Sequence, residues 1–383
     1  MTRSRQSASK RASCSVGDVA AVLDGIAPPR LAQSWDNVGL LAGDRQAVCS
    51  RVLLCIDMTP EVLAEAIRER CELVFAYHPP LFRPISKLLA DSDGTDGLVC
   101  RAMASGIAIY SSHTALDAAE GGTNDVLAGF CELEDVEPFE YVAGEADTCK
   151  VVTFVPADEI ERVASGMFGA GGGRIGDYEQ CSFRLEGQGT FRGMEGTHPV
   201  VGKQGRLERV AETRLEMVVS RDRLPEVVSE LRRSHPYEEP ALDVYPIEGE
   251  LSKGIGRVGR LPVGQTLGRL AARLKRATKS KVAMTVGSPG TRVRRAAVCV
   301  GAAGRLPLER PRSADCDVVV TGEMRHHDAL TLLRCGKTAV VLGHWESERP
   351  MLAVLAKRLR KTVKSLDVRV SRSDGGPFGM VSS

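Results

Sequence analysis

The chain has 383 residues, of which 43% are hydrophobic and 26% charged, and 51 Lys and Arg set against 49 Asp and Glu leave a formal net charge of +2. That length exceeds what one hydrophobic core organises, so two or three domains are expected. The near balance of charge points to neither a nucleic-acid-binding stripe nor an acidic partner, and no apolar run is long enough to span a bilayer.

In chain order, the first residues, MTRSRQSASKRAS, are basic and serine-rich with no apolar core behind them, which predicts a disordered tail over residues 1–15. The apolar runs Arg51–Ile56, Leu73–Ala76 and Ile107–Tyr110 predict strands, with a helix over Pro60–Arg70 between the first two. Continuous apolar strands alternating with helices predict an α/β half, with a parallel or mixed sheet covered on both faces, over residues 16–141. A middle segment, residues 142–250, repeats a strand, a turn and an amphipathic helix twice: Lys150–Pro156 before DEIERVASGMF, and Leu215–Ser220 before DRLPEVVSELRR. With Ala241–Tyr245 as a further strand, this predicts an inserted ferredoxin-like βαββαβ domain of α+β type. Inside it, GAGGGRIG (Gly169–Gly176) and the polar run Glu186–Arg206 read as exposed loops. A second α/β half, residues 251–383, follows, with strands at Ala296–Val300, Val318–Thr321 and Thr338–Leu342 and helices near Asp328–Arg334 and Pro350–Thr362. Gly254, Gly256 and Gly259 match G-x-G-x-x-G, but no apolar strand precedes them and Pro262 follows, so they read as a bend.

The 11 cysteines, from Cys14 to Cys335, include no C-x-x-C pair and sit mostly in apolar runs. They read as buried thiols of a reducing compartment, and a cytoplasmic protein is expected.

Four polar clusters follow directly on strand ends: AYHPP (Ala76–Pro80), SSHTALD (Ser111–Asp117), TGEMRHH (Thr321–His327) and GHWESE (Gly343–Glu348). They hold five of the chain's seven histidines, His78, His113, His326, His327 and His344. The crevice beyond the carboxyl ends of strands is where α/β sheets bind ligands. Imidazole together with carboxylate suits Zn, Fe, Mn or Co, and four residues separate His344 from Glu348 as they do His113 from Asp117, a spacing that shares one helix face. Taken singly, each cluster also reads as a cap or a hydrogen-bonded loop histidine. Four of them at one kind of topological position favour a metal site. SHPYEEP (Ser234–Pro240) fits both a ligand rim, or a contact with a neighbouring subunit's metal site, and a charged turn closed by prolines. No cluster of arginines or lysines near the four motifs announces a triphosphate pocket.

SWDNVGLLAGD (Ser34–Asp44), YHPPLF (Tyr77–Phe82), HTALDAAEGGTNDVLA (His113–Ala128), GIGRVGRL (Gly254–Leu261), TGEMRHHDAL and GHWESE occur in this order, and the chain from Val16 onward resembles the Nif-three-like dinuclear metal-centre family, also called GTP cyclohydrolase type 2. The resemblance implies two α/β halves forming one metal-binding unit, with the inserted domain PII- or CutA-like. It places metal ligands on His78, Asp117, His344 and Glu348, with Glu348 bridging one or two divalent transition-metal ions. Many bacterial members have paired histidines where this chain has Tyr77 and His78, which puts the second ion in question. The family's activity implies attack of a metal-bound hydroxide on C8 of GTP with release of formate, His113, Glu323 and His326 being candidate acids and bases. A metal-binding adaptor or trafficking protein is the rival expectation. A homo-oligomer, trimeric or hexameric, is expected on the same resemblance.

Overall fold

The computed structural model describes residues 14–141, 148–247 and 253–379. The expected tail lies outside these except at its end, where Ser15 already caps the helix Val16–Ile26: its Oγ accepts from Asp18 N and its own N–H donates to the Asp18 carboxylate. The chain divides into two compact units, Met1–Val142 with Ser252–Ser383, and Ala143–Leu251.

Among the described residues, the first unit holds a two-stranded sheet that pairs Gly254–Ile255 with Glu140–Tyr141, and two large sheets. One has five strands in the order Gly39–Ala42, Ala108–Ser111, Leu73–Ala76, Arg51–Cys55, Asp367–Val370, with the last four mutually parallel. The other runs Met284–Val286, Thr338–Val341, Val318–Thr321, Arg295–Cys299, Arg257–Arg260, Glu134–Glu137, with a parallel core of three strands. Alternation explains why these strands read as unbroken apolar runs. Leu73, Phe75 and Tyr77 face one core with the helices Val16–Ile26 and Pro350–Thr362, while Val74 and Ala76 face another with Pro60–Arg68 and Thr95–Ala104.

The sheets do not follow the contiguous halves expected from the sequence. Asp367–Val370, near the end of the chain, pairs with Arg51–Cys55, and Glu134–Glu137 crosses to pair with Arg257–Arg260. The helix Thr123–Cys131 likewise buries Leu127, Ala128 and Cys131 in the second sheet's core. Each half completes the other's sheet, an exchange that the periodicity of either segment alone does not reveal. A buried fork reinforces it: Arg257, 2% exposed, donates through Nη2 to Asp125 Oδ2 (2.7 Å) and Ala119 O (3.0 Å).

The second unit is a four-stranded antiparallel sheet in the order Leu242–Ile247, Thr148–Pro156, Leu207–Ser220, Phe183–Arg192, with the helices Ile160–Gly169 and Leu224–Ser234. Chain order is thus βαββαβ, the ferredoxin-like pattern. One expectation needs correction: Glu186–Arg192 is strand, not loop. It pairs with residues 207–213 of the long neighbouring strand through a regular register, but its side chains are mostly exposed, so it lacks the half-buried alternation that marks a strand. The 11 cysteines are all free, and no helix among the described residues is long and apolar enough to cross a membrane.

Candidate metal centre

The side chains that the sequence singles out in the first unit follow the carboxyl ends of parallel strands. His78 follows Leu73–Ala76, His113 and Asp117 follow Ala108–Ser111, Glu323 follows Val318–Thr321, and His344 and Glu348 follow Thr338–Val341. His344–Glu348 is a short helix, so both project from one face, as the spacing predicts.

One nitrogen or oxygen each from His78, His344 and Glu348 lie within 4.8 Å of one another. Glu348, 3% exposed, sits between the imidazoles: Oε2 is 3.2 Å from His78 Nε2, and Oε1 is 3.3 Å from His344 Nε2. On the far side of each ring stands a second carboxylate, Asp57 at 2.9 Å from His78 Nδ1 and Glu323 at 3.4 Å from His344 Nδ1. A carboxylate behind a ligating imidazole holds the proton on Nδ1 and turns the Nε2 lone pair inward. Nitrogen lone pairs would then face carboxylate oxygens, a repulsion relieved either by a metal ion between them or by a proton on each Nε2.

The residues fit a transition-metal ion. Two ligands each about 2.0–2.1 Å from one ion at tetrahedral or octahedral angles stand about 2.8–3.4 Å apart, a range that holds the imidazole–carboxylate spacings. Glu348 Oε2 is buried without a hydrogen-bond partner among the described residues. Gly301, at φ +61, leaves space there: a Cβ would lie 2.5 Å from Glu348 Oε1 and 3.2 Å from His344 Nε2. With protons alone to supply positive charge, burial pulls the His78 imidazole down, but Asp57 and Glu348 outweigh it and raise it to about 10. Glu348 in the same way raises His344 to about 9 against the opposing effect of burial.

Asp117 lies beside this trio rather than in it. Its carboxylate accepts the hydroxyl of the fully buried Tyr77, and burial together with the charge of Glu348 pushes it up to about 6. Tyr77 continues the core-facing alternation of its strand while His78 turns to the crevice, which is how adjacent residues serve packing and site separately. The tight turn Glu120–Gly122 beside Asp117 requires glycine at Gly122, where a Cβ would meet Leu116 O at 1.9 Å. Asn124 then ties the two sheets together, donating to Asp117 O (3.0 Å) and accepting from Val300 N (3.0 Å).

His113 joins the cluster through its ring, 5.3 Å from that of His78, and Asp36 holds its Nδ1 at 2.8 Å. It occupies φ +25, a conformation uncommon for any residue but glycine. His326 is not brought in: it is exposed at the start of the helix His326–Arg334, and its ring pairs with His327 at 5.4 Å. Sequence reasoning missed Asp57 and Asp36. Asp57 was within reach, since it stands two residues beyond Arg51–Cys55 as the other clusters stand beyond their strands. Basic side chains also approach the site, Lys281 and Arg305 from outside the four motifs and Arg325 from within TGEMRHH. A cavity of about 730 Å³ beside His344 and Glu323 is lined by Lys281, Arg305 and Arg325, with Asp328 and Glu346 among its carboxylates.

A family model described as Duf34/NIF3 (NGG1p interacting factor 3) matches residues 14–377. Over 370 residues the chain is 38% identical to a Mycobacterium tuberculosis protein named "GTP cyclohydrolase 1 type 2 homolog", covering 95% of this chain and 97% of that one. A Bacillus subtilis protein of the same name is 33% identical over 356 residues, covering 92% and 94%. Among solved structures, a Bacillus cereus protein described as related to NIF3 matches with a TM-score of 0.77 at 32% identity, covering 96% of this chain and 99% of that one.

Proposed function

This chain belongs to the DUF34/NIF3 family, and from that premise we propose that it is a metal-dependent hydrolase in which His78, His344 and Glu348, with Asp117 alongside, hold one or two divalent ions of Zn, Fe, Mn or Co. The observation that carries the reading is Glu348, whose two buried oxygens each face a different imidazole. A bound ion would supply Lewis acidity and a nucleophilic water near neutral pH. The chain's own residues do the rest. Asp57 and Glu323 orient the ligating rings, and Asp36 fixes His113 so that its Nε2 can take or give a proton at the edge of the cluster. His326 has no role in this reading, because it is exposed and directed to His327.

The names of the relatives extend the reading to GTP as substrate and a purine ring carbon as the point of attack. Lys281, Arg305 and Arg325 support an anionic substrate beside His344. Metal-loaded protein incubated with GTP should release formate; absence of formate from protein of verified metal content contradicts the cyclohydrolase assignment. A second reading, a metal-binding adaptor without turnover, draws on Tyr77, which is buried and bonded to Asp117 where an imidazole would serve a second ion. The same assay separates the two.

We assign the inserted unit to the PII/CutA-like kind on its strand order, and place the protein in the cytoplasm as a trimer or hexamer. A solution mass near 41.2 kDa by light scattering across a wide concentration range contradicts the assembly.

A further inference from the structure

Beside the metal-ligand cluster stand two large aromatic side chains without a packing role. Trp35 is 57% exposed and Phe82 44% exposed, yet they are not scattered surface residues. Their ring centroids are 5.8 Å apart, and those of Trp35 and Phe82 lie 6.0 Å and 6.4 Å from His113, each pair edge to face. The His113 ring in turn stands 5.3 Å from His78, so the aromatic surface leads from solvent to a metal ligand without interruption.

The corner is fastened by polar contacts. Asn37 Nδ2 donates to Leu81 O, joining the segment that carries Trp35 to the one that carries Phe82. Asp36 accepts from Thr114 N at 3.1 Å as well as holding His113, and Gln33 N donates to Thr114 Oγ1 at 3.0 Å. Tying exposed aromatic rings in place forfeits their freedom without burying them, which is favourable only when something else covers their faces. Two rings are too small a patch for a protein interface, which needs about 800 Å² on each partner. Inclined at 62° to each other, they form a corner that takes one planar ring, stacked on the face of one and met at its edge by the other.

We infer that Trp35 and Phe82 form a stacking platform for a heteroaromatic base, holding a nucleoside with its ring edge toward His113 and the metal-ligand cluster. This deepens the hydrolase reading and rests on it for the orientation of the base. The platform takes the ring; the sugar and phosphates are not its ligands.

Guanosine and ribose 5-phosphate are titrated by calorimetry into metal-loaded full-length protein, its Trp35→Ala, Trp35→Phe and Phe82→Ala variants, with metal content measured in each. Guanosine should bind the parent protein more tightly than ribose 5-phosphate does. Trp35→Ala should weaken guanosine about tenfold or more, and Phe82→Ala less, while Trp35→Phe stays within about threefold of the parent. Metal content should not change. If guanosine fails to bind, binds no better than ribose 5-phosphate, or binds Trp35→Ala as it binds the parent, the platform is overturned while the metal site stands. A parent protein that holds no metal overturns the hydrolase reading instead.

Discussion

His78 and His344 in the first unit are half-buried and His235 in the inserted unit is buried, and they are satisfied in opposite ways. His235 Nε2 donates to Phe154 O at 3.1 Å and its Nδ1 accepts from Tyr237 N at 3.1 Å, so both nitrogens are used by backbone. Burial holds its pKa below the ordinary imidazole value. His78 and His344 instead face the carboxylates of Asp57, Glu323 and Glu348, and are raised. A buried histidine completed by backbone is structural; one completed only by carboxylates calls for a cation. The comparison settles the SHPYEEP histidine as a core group and sets the strand-end histidines apart from it.

The largest effect that sharpens this contrast is metal loss. Glu348→Ala should strip more metal than His344→Ala, because the carboxylate faces both imidazoles whereas each imidazole serves one side. Equal loss in the two variants, by elemental analysis, would remove the bridge from the account.

The next effect is on pH dependence. Folding raises His78 to about 10 and His344 to about 9 from 6.5, so in metal-free protein their stabilisation is complete below about pH 6.5. It is lost as pH rises through 9 to 10. His235, being depressed, has the reverse sign: its contribution is present above the ordinary imidazole value and lost as pH falls. Denaturant titrations in chelator should therefore show stability declining on the alkaline side, and metal loading should flatten that decline, since an ion displaces the protons. An alkaline limb unchanged by metal would break the link between the raised imidazoles and the site.

The smallest effect tests the other side of the comparison. His235→Leu leaves Phe154 O and Tyr237 N without their side-chain partner and should cost about 1–3 kcal/mol of stability with metal content untouched. Metal loss in that variant would contradict the separation.

Much of this was legible in the sequence because the relevant strands are buried on both faces. Leu73–Ala76 and Val318–Thr321 coincide with their apolar runs, and the polar residues immediately after them mark the crevice. The exchange of Asp367–Val370 and Glu134–Glu137 between sheets was not legible, since a four-residue strand carries no information about its partner. Phe183–Arg192 escaped for a different reason: its exposed side chains and two internal glycines erase the alternation that marks a strand. Within the candidate site, His78, His344 and Glu348 stood out by type and position, whereas the carboxylates Asp36 and Asp57 join it only through the folds of loops that bring them behind an imidazole. Lys281 and Arg305 likewise reach the cavity beside His344 from segments that hold none of the four motifs.

Anomalous diffraction from crystals grown with a divalent transition metal, recorded on both sides of that metal's absorption edge, tests the central claim most directly. The account predicts a peak in contact with His78, His344 and Glu348. A fully metal-loaded protein whose anomalous peaks all lie away from these three side chains would contradict it.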